Sequence, residues 1–476
     1  MDKPNIVLIH VDQWRADCLS ILGHPVVHTP YLDQLATQGV LFTNAYCATP
    51  SCIASRASLM TGLTQTSHGR IGYKDGVPWD YKTTLAGEFT KGGYQTQAVG
   101  KMHVYPNRNR IGFENVILHD GFLHFARKNG QYGLYDDYSA WLEEQTSYKA
   151  GYFDHGISCN SYVARPWDKE EYLHPTNYVT SQSIDFLRKR DPTKPFFLYM
   201  SYHRPHPPYD PPSWAFDQYI NEDMPEPNVG DWSDKFAYLR NEHSPVAIYD
   251  EVDSRTLKRA KAGYYGHMTH IDHQINRFVE SLKEYDVDKN TYIVFTSDHG
   301  ELMGDHNFFR KMVPFEGSAK VPLIISGPID SKIKRRSQCN ELIEMRDIMP
   351  TLLDCAGLEI PDVVEGKSLL ANAKGAENHL RDYIHGEHTA GPQSSFQWIR
   401  SKQYKYLWES GLGIECLFDL EKDPKELNDL SDQKEFSDIF SNHQQLLINE
   451  LEDRKEGFVK NKKLVTGVNT SPVLFE

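Results

Sequence analysis

Four times along this chain a short strand-like run stops at a cluster of ionisable residues, and this recurrence constrains the fold more than any other feature. Residues 4–11 run into Asp12, and residues 94–99 run into Gly100-Lys101-Met102-His103. Residues 195–202 lead to a loop that begins His203-Arg204-Pro205-His206, and residues 292–296 lead to Ser297-Asp298-His299-Gly300. An apolar run without alternation is the pattern of a strand buried on both faces, as in a parallel sheet covered by helices. Helical stretches stand between the runs at 31–38, 83–91, 176–190 and 255–285, the first two stopped by Gly39 and Gly92-Gly93. Further strands are expected at 40–46 and 321–326, and a helix at 346–356. In open α/β sheets ligands bind beyond the carboxyl ends of the strands. Asp12, Lys101, His103, His206, Asp298 and His299 therefore converge on one site. Taken singly, each has a plainer reading as a helix cap, a solvated charge or a loop histidine.

The stretch from Thr49 to Gly62, T-P-S-C-I-A-S-R-A-S-L-M-T-G, adds a nucleophile. Thr49-Pro50-Ser51 reads as a turn before a helix, with Ser51 as its N-cap. Cys52 and Arg56 then share one face at i and i+4, beside an apolar stripe of Ile53, Ala57 and Met60. A cysteine at the positive end of a helix, with a guanidinium one turn away, suits an anionic ligand. Lys101 and His103 alternate across Met102, so an extended backbone points both to one side.

Cys52-Ile53-Ala54-Ser55-Arg56 resembles the C-x-(P/A)-S-R signature of the type I sulfatases, and the resemblance extends over almost the whole chain. It implies an α/β fold of the alkaline-phosphatase-like kind: a mixed, mostly parallel sheet sandwiched by helices, with a small C-terminal antiparallel α+β subdomain. It also implies that a formylglycine-generating maturation enzyme oxidises Cys52 to formylglycine (3-oxoalanine). Asp12, Asp298 and His299 match the family's metal ligands, completed by the modified residue 52. Arg56 would hold the hydrated aldehyde, while Lys101 and Lys311 would bind the sulfate oxygens. His206 or Lys311 would protonate the leaving oxygen, and His103 would take the proton that lets sulfate depart. Many sulfatases carry an adjacent Asp pair at the first strand and an Asn after the later Asp; here Val11 precedes Asp12 and His299 follows Asp298. Residues 11–17 look instead like the phosphonate monoester hydrolases of the same superfamily. One carboxylate fewer and one imidazole more favour manganese, leaving calcium less secure as the one divalent ion.

The net charge of −14 argues against a nucleic-acid partner, for which basic excess is needed. It also requires that an anionic substrate meet a local positive pocket. The first apolar run is too short for a secretory signal and no later one spans a bilayer. Seven scattered cysteines suit a reducing compartment. The expectation is a cytoplasmic protein without a membrane partner. Residues 112–175 lack clear periodicity, and a segment of that length is usually functional; it is expected to shape the leaving-group pocket. From about residue 380 the pattern changes to short strands (383–385, 396–400, 405–408, 416–420) and a closing helix (436–454). Two domains follow, 1–379 and 380–476. Asp305 and His306 are weaker candidates for supporting the site; His385, Glu387 and His388 could reach the cleft from the C-terminal subdomain but read more simply as solvated strand ends. The function expected is hydrolysis of aryl or similarly small sulfate monoesters. The alternatives are a phosphonate monoester or phosphodiester hydrolase, or an unmatured anion-binding relative.

Overall fold

The computed structural model describes residues 3–121, 136–242 and 244–475. Its centre is a nine-stranded sheet in the order β4-β3-β5-β1-β6-β7-β2-β8, with β9 also pairing to β2. The strands are β1 Asn5–Asp12, β2 Gly39–Tyr46, β3 Gln95–Gly100, β4 Asn115–Leu118, β5 Phe196–Pro205, β6 Thr291–Ser297, β7 Lys320–Ser326, β8 Ser337–Cys339 and β9 Ile343–Glu344. The four runs that carry the ionisable clusters, β3, β5, β1 and β6, are adjacent and mutually parallel. Only β7 among these strands runs against its neighbours.

Alternation along β1 shows why its run is apolar throughout. Ile6 and Leu8 point into a core built with the helices Cys52–Thr61, Leu85–Lys91 and Ile348–Cys355. Val7, Ile9 and Val11 point into a second core with Pro30–Thr37, Pro175–Lys189 and the 31-residue helix Ser254–Glu284. Each such side chain contributes about 1.5–3 kcal/mol on burial. The sheet is thus sandwiched by helices, as the sequence implies. The expected helix at 346–356 opens instead with a 3-10 turn, Met345–Asp347, because Glu344 and Asp347 form a reciprocal capping box there.

A second sheet is antiparallel, in the order β10 Tyr383–Gly391, β11 Ser394–Ser401, β12 Tyr404–Glu409, β13 Ile414–Asp419. One face is covered by the helix Ser437–Leu451 through Tyr406, Trp408, Leu417 and Leu447. The other packs Ile384, Phe396, Trp398 and Phe418 against Tyr46, Phe308 and Phe315 of the main body. β10 runs six residues beyond the expected 383–385. Backbone bonds from Glu387 N to Ala48 O and from Thr389 N to Ile71 O, both 2.8 Å, carry it alongside the chain that flanks Cys52.

In the aperiodic stretch 112–175, residues 122–135 lie outside the described residues. The remainder holds the edge strand β4 and a short helix, Asp137–Gln145, whose start is capped by Asp136 accepting from Ser139 N. Four residues at a sheet edge and two and a half helical turns are too short to print a period. Among the described residues no helix is long and apolar enough to cross a membrane.

Candidate active site

The carboxyl ends of β1, β3, β5 and β6 meet the start of the Cys52–Thr61 helix, and nearly every polar group there is buried. Gly62 ends that helix in the left-handed region, its N–H bonding to Ser58 O. Ser51 occupies the N-cap position with extended backbone, but its side chain makes no capping bond. Its Oγ is buried without a hydrogen-bond partner among the described residues, and the residue lines the substrate cleft. The helix is instead held by Ser55, whose Oγ donates to Asp298 O at 2.5 Å.

Cys52 Sγ lies 3.2 Å from His299 Nε2 and 3.7 and 3.9 Å from the two oxygens of Asp12. His299 donates from Nδ1 to Gly300 O at 2.9 Å, which leaves the Nε2 lone pair facing Asp12 and Asp298 at 3.4 and 3.7 Å. Burial is the main cause that lowers its pKa to about 4, so the ring is neutral. Burial pushes the Asp12 carboxyl up, but the cations around it, Lys101 first and Lys311 among them, outweigh it and hold it well below the usual carboxylate range. Asp298 is raised by burial and by Asp12, yet its net direction is downward, with the paired Arg56 guanidinium among the causes. Two ionised carboxylates and a neutral imidazole with its lone pair turned inward are the donor set that a divalent ion takes. The ligand atoms of Asp12, Cys52, Asp298 and His299 all lie within 4.8 Å of one another, so the residues fit the ion.

The cations are placed by long-range contacts that spacing alone does not show. Arg56 Nε pairs with Asp298 Oδ2 at 3.0 Å, both side chains fully buried. Its Nη1 donates to Lys101 O, Tyr199 Oη and Ser201 Oγ, each at 2.9 Å, while Nη2 has no partner among the described residues. Arg56 therefore fixes Asp298 as well as facing residue 52. Lys101 leaves β3 after Gly100, where φ is 102° and an added Cβ would lie 1.9 Å from Ser201 O. Only glycine lets β3 approach β5 so closely there, and Lys101 Nζ turns in to pair with Asp12 Oδ2.

His103 does not share a side with Lys101 through extended alternation: its φ is 56°, in the left-handed region. Asp120 Oδ1, accepting from Met102 N and His103 N at 2.8 and 2.9 Å, holds that turn. The His103 ring still feels Cys52, and its Nε2 lies 3.4 Å from Asp75 Oδ1. Burial and Lys101 lower its pKa, Asp75 and Cys52 raise it, and the net direction is up. His206 donates from Nδ1 to Pro207 O at 2.8 Å, and its own backbone N–H donates to Asp12 O. Burial, then Lys311, push it well below the ordinary histidine value. Lys311 Nζ donates to Gln13 Oε1 at 2.8 Å, and Met312 N donates to Pro50 O at 3.1 Å, tying that loop to the turn before Cys52.

Several residues correct the reading from sequence. The neighbour of Asp12 that enters the site is Gln13; Val11 points into the core. Gln13 has φ 73°, its backbone N–H donates to Asp298 Oδ1 at 3.0 Å, and its side chain bridges Lys311 and Glu301. Its place beside Asp12 was the available signal. Asp305 and His306 sit elsewhere: Asp305 pairs with Arg15 at 2.8 Å, and His306 accepts from Gly230 N. His385, Glu387 and His388 are not solvated strand ends. Glu387 is fully buried against Arg454, and His385 pairs with Gln397. His388 is buried with neither ring nitrogen hydrogen-bonded among the described residues, and it feels the charges of His299 and Lys311. Asp75 and the C-terminal residues 470–472 also had no periodic or motif signal.

Above Cys52, His206 and Lys311 a cleft of about 530 Å³ opens. Its outer wall is made by Tyr73, Asn160, Arg310, the β10–β11 turn 389–392 and residues 470–472.

Residues 4–358 match the Sulfatase family, and residues 304–454 match the N-sulphoglucosamine sulphohydrolase C-terminal family. This chain belongs to the sulfatase family. It is 52% identical over 475 residues to an arylsulfatase of Clostridium perfringens (strain 13 / Type A), covering 98% of each sequence. It is 28% identical to the multifunctional alkaline phosphatase superfamily protein PehA of Trinickia caryophylli, covering 94% of each. Among solved structures, the phosphonate monoester hydrolase of Agrobacterium radiobacter superposes with a TM-score of 0.79 at 26% identity, over 94% of this chain and 95% of that one. The sulfatase fold here is the alkaline-phosphatase-like one that the sequence resemblance implied.

Proposed function

We propose that this sulfatase hydrolyses sulfate monoesters with aryl or similarly small leaving groups, using a formylglycine made from Cys52 and one divalent ion. The convergence of Cys52, Asp12, Asp298 and His299 at the buried end of the parallel sheet carries this reading, and the likeness to the Clostridium arylsulfatase supports it. When present, the hydrated aldehyde supplies two hydroxyls on one carbon, and the ion held by Asp12, Asp298 and His299 supplies Lewis acidity. The chain's own groups do the rest. Arg56 keeps Asp298 in place and has its uncommitted Nη2 with which to hold the hydrated aldehyde. Lys101 and Lys311 bind the nonbridging oxygens and stabilise the charge that grows on them. His206, neutral with its proton on Nδ1, presents a lone pair from Nε2, so Lys311 is the group that gives a proton to the departing oxygen. His103, oriented by Asp75, accepts the proton whose removal lets sulfate leave.

Domain 1–379 supplies these groups, and 380–476 closes the cleft from outside. The partners are the sulfate-ester substrate and a formylglycine-generating maturation enzyme, with no nucleic acid and no membrane. Seven cysteines without disulfides are in keeping with a cytoplasmic location. His299 in the donor set favours manganese at least as much as calcium. The test is the mass of the tryptic peptide bearing Cys52 from the native organism, together with release of nitrophenol from nitrophenyl sulfate. An unmodified thiol with no turnover would instead mean an anion-binding relative. Gln13 beside Asp12, together with the Agrobacterium superposition, keeps a phosphonate monoesterase activity as the second reading.

A further inference from the structure

Resting on that reading, we infer that Arg310 makes this enzyme selective for sulfate esters whose leaving group carries a second anionic group. The sulfate itself is already served by Lys101 and Lys311. Arg310 is an additional cation in the wall of the same cleft, and none of the residues lining that cleft is a carboxylate. Arg310 shares that wall with Asn160 and follows directly on the loop that carries Phe309 and Phe308.

Arg310 is short of partners. Nη2 donates to Val246 O at 2.5 Å, Nε is buried with no hydrogen bond, and no ion pair reaches the side chain among the described residues. The carboxylate it feels most is Glu301, which is already committed. Glu301 Oε1 accepts the backbone N–H groups of Met303 and Arg310 at 2.8 and 2.5 Å; Oε2 accepts from Tyr209 at 3.1 Å and from Gln13. This half-buried guanidinium has no counter-charge among the described residues, which leaves its charge for a ligand in the cleft to meet. The backbone also holds it there: φ is 66° at Arg310 and 88° at Met312, both in the left-handed region. These two turns aim consecutive cations, Arg310 and Lys311, along one cleft. Lys311 addresses the scissile sulfate, so Arg310 addresses what lies beyond the bridging oxygen. A carboxylate or a second sulfonated group meets a guanidinium equally well.

The experiment compares three aryl sulfates on matured enzyme: 4-carboxyphenyl, 4-sulfophenyl and the uncharged 4-carbamoylphenyl ester. In the wild type, kcat/KM for one or both charged esters should exceed that of the carbamoyl ester by at least about tenfold after correction for leaving-group acidity. Arg310→Met should lower that ratio about tenfold or more, and Arg310→Lys should retain part of it. The two charged arms separate a carboxylate preference from a sulfonate one. A ratio near one in the wild type, or an unchanged ratio in Arg310→Met, overturns the inference while leaving the sulfatase reading standing. Calorimetric binding of 4-hydroxybenzoate against 4-hydroxybenzamide gives the same ratio without turnover. Wild-type enzyme that turns over none of the esters, yet binds 4-hydroxybenzoate more tightly through Arg310, would break the reading and keep the anionic subsite.

Discussion

Asp12, Lys101, Asp298 and His299 stand at the ends of buried parallel strands, whereas the wall opposite them is built from Tyr73, Asn160, the turn 389–392 and the tail 470–472. On the inner wall the charged groups are locked to one another, Lys101 on Asp12 and Arg56 on Asp298, with those side chains fully buried. On the outer wall the groups are mostly uncharged and are held by backbone bonds, such as Thr470 N to Pro392 O at 2.8 Å and Ile71 N to Pro472 O at 3.0 Å. The inner wall has one arrangement compatible with its charges, while the outer wall tolerates changes of shape. On the proposed reading, reaction type belongs to the strand ends and choice of leaving group to the turns.

The largest effects are expected on the inner wall. Cys52→Ala should leave the fold intact, because a small buried side chain is replaced by another, and should remove at least about 10⁴-fold of kcat for nitrophenyl sulfate, the scale of losing a nucleophile. Residual turnover near the wild-type rate would sink the assignment of Cys52.

Next comes Asp298→Ala, which should lose metal and activity together and also stability. With its partner gone, the buried Arg56 is uncompensated, at about 3–5 kcal/mol by denaturant unfolding. The double variant Asp298→Ala with Arg56→Met should recover most of that stability and none of the activity. Full metal occupancy in Asp298→Ala would show that the ion is held elsewhere. On metal replacement after chelation, manganese should restore at least as much activity as calcium; a strict calcium requirement would count against the softer donor set.

The same contrast explains what was legible in the sequence. β1, β5 and β6 could be read because burial on both faces leaves uninterrupted apolar runs, and each ends at the residue that enters the site. The Cys52–Thr61 helix was legible from its spacing and its motif. The Arg56–Asp298 pair was not, because it joins residues far apart in the chain, and periodicity carries no information about long-range partners. Gln13 was passed over because a single polar residue after a strand is ordinary, and its role depends on a left-handed backbone. The direction of β7 was open for the same reason, since an apolar run reads alike in either sense. Nor does a period mark residues 389–392 or 470–472, which reach the cleft only because β10 is longer than its apolar core.

A smaller effect separates the two enzyme readings. Arg56, Lys101, Lys311 and a divalent ion can stabilise the transition state of a sulfate monoester or a phosphonate monoester, so the inner wall does not choose between them. The outer wall chooses, because a substituent on phosphorus needs room that a third sulfate oxygen does not. We expect kcat/KM for nitrophenyl sulfate to exceed that for the matching phenylphosphonate, with the phosphonate slow but measurable. A preference the other way by more than about tenfold, or roughly 1.4 kcal/mol of transition-state binding, would favour the second reading.

The smallest effect lies where the walls touch. Asp75, half-exposed on the outer side, accepts from Tyr73 Oη at 2.8 Å and faces His103 Nε2 at 3.4 Å. Burial lowers the His103 pKa, and Asp75 is among the causes that bring it net upward. A base works only when neutral, so the acid limb of the pH–rate profile sits higher with Asp75 present than without it. Asp75→Asn should therefore move that limb toward lower pH and lower the plateau of kcat by roughly fivefold at most, because a half-exposed pair contributes up to about 1 kcal/mol. Tyr73→Phe should move the limb less and leave the plateau nearer the wild type, since Tyr73 only orients Asp75. A purely structural Asp75 would lower kcat at every pH without displacing the limb. A limb that stays fixed in Asp75→Asn would detach the outer wall from the proton chemistry altogether and sharpen the division between the two walls.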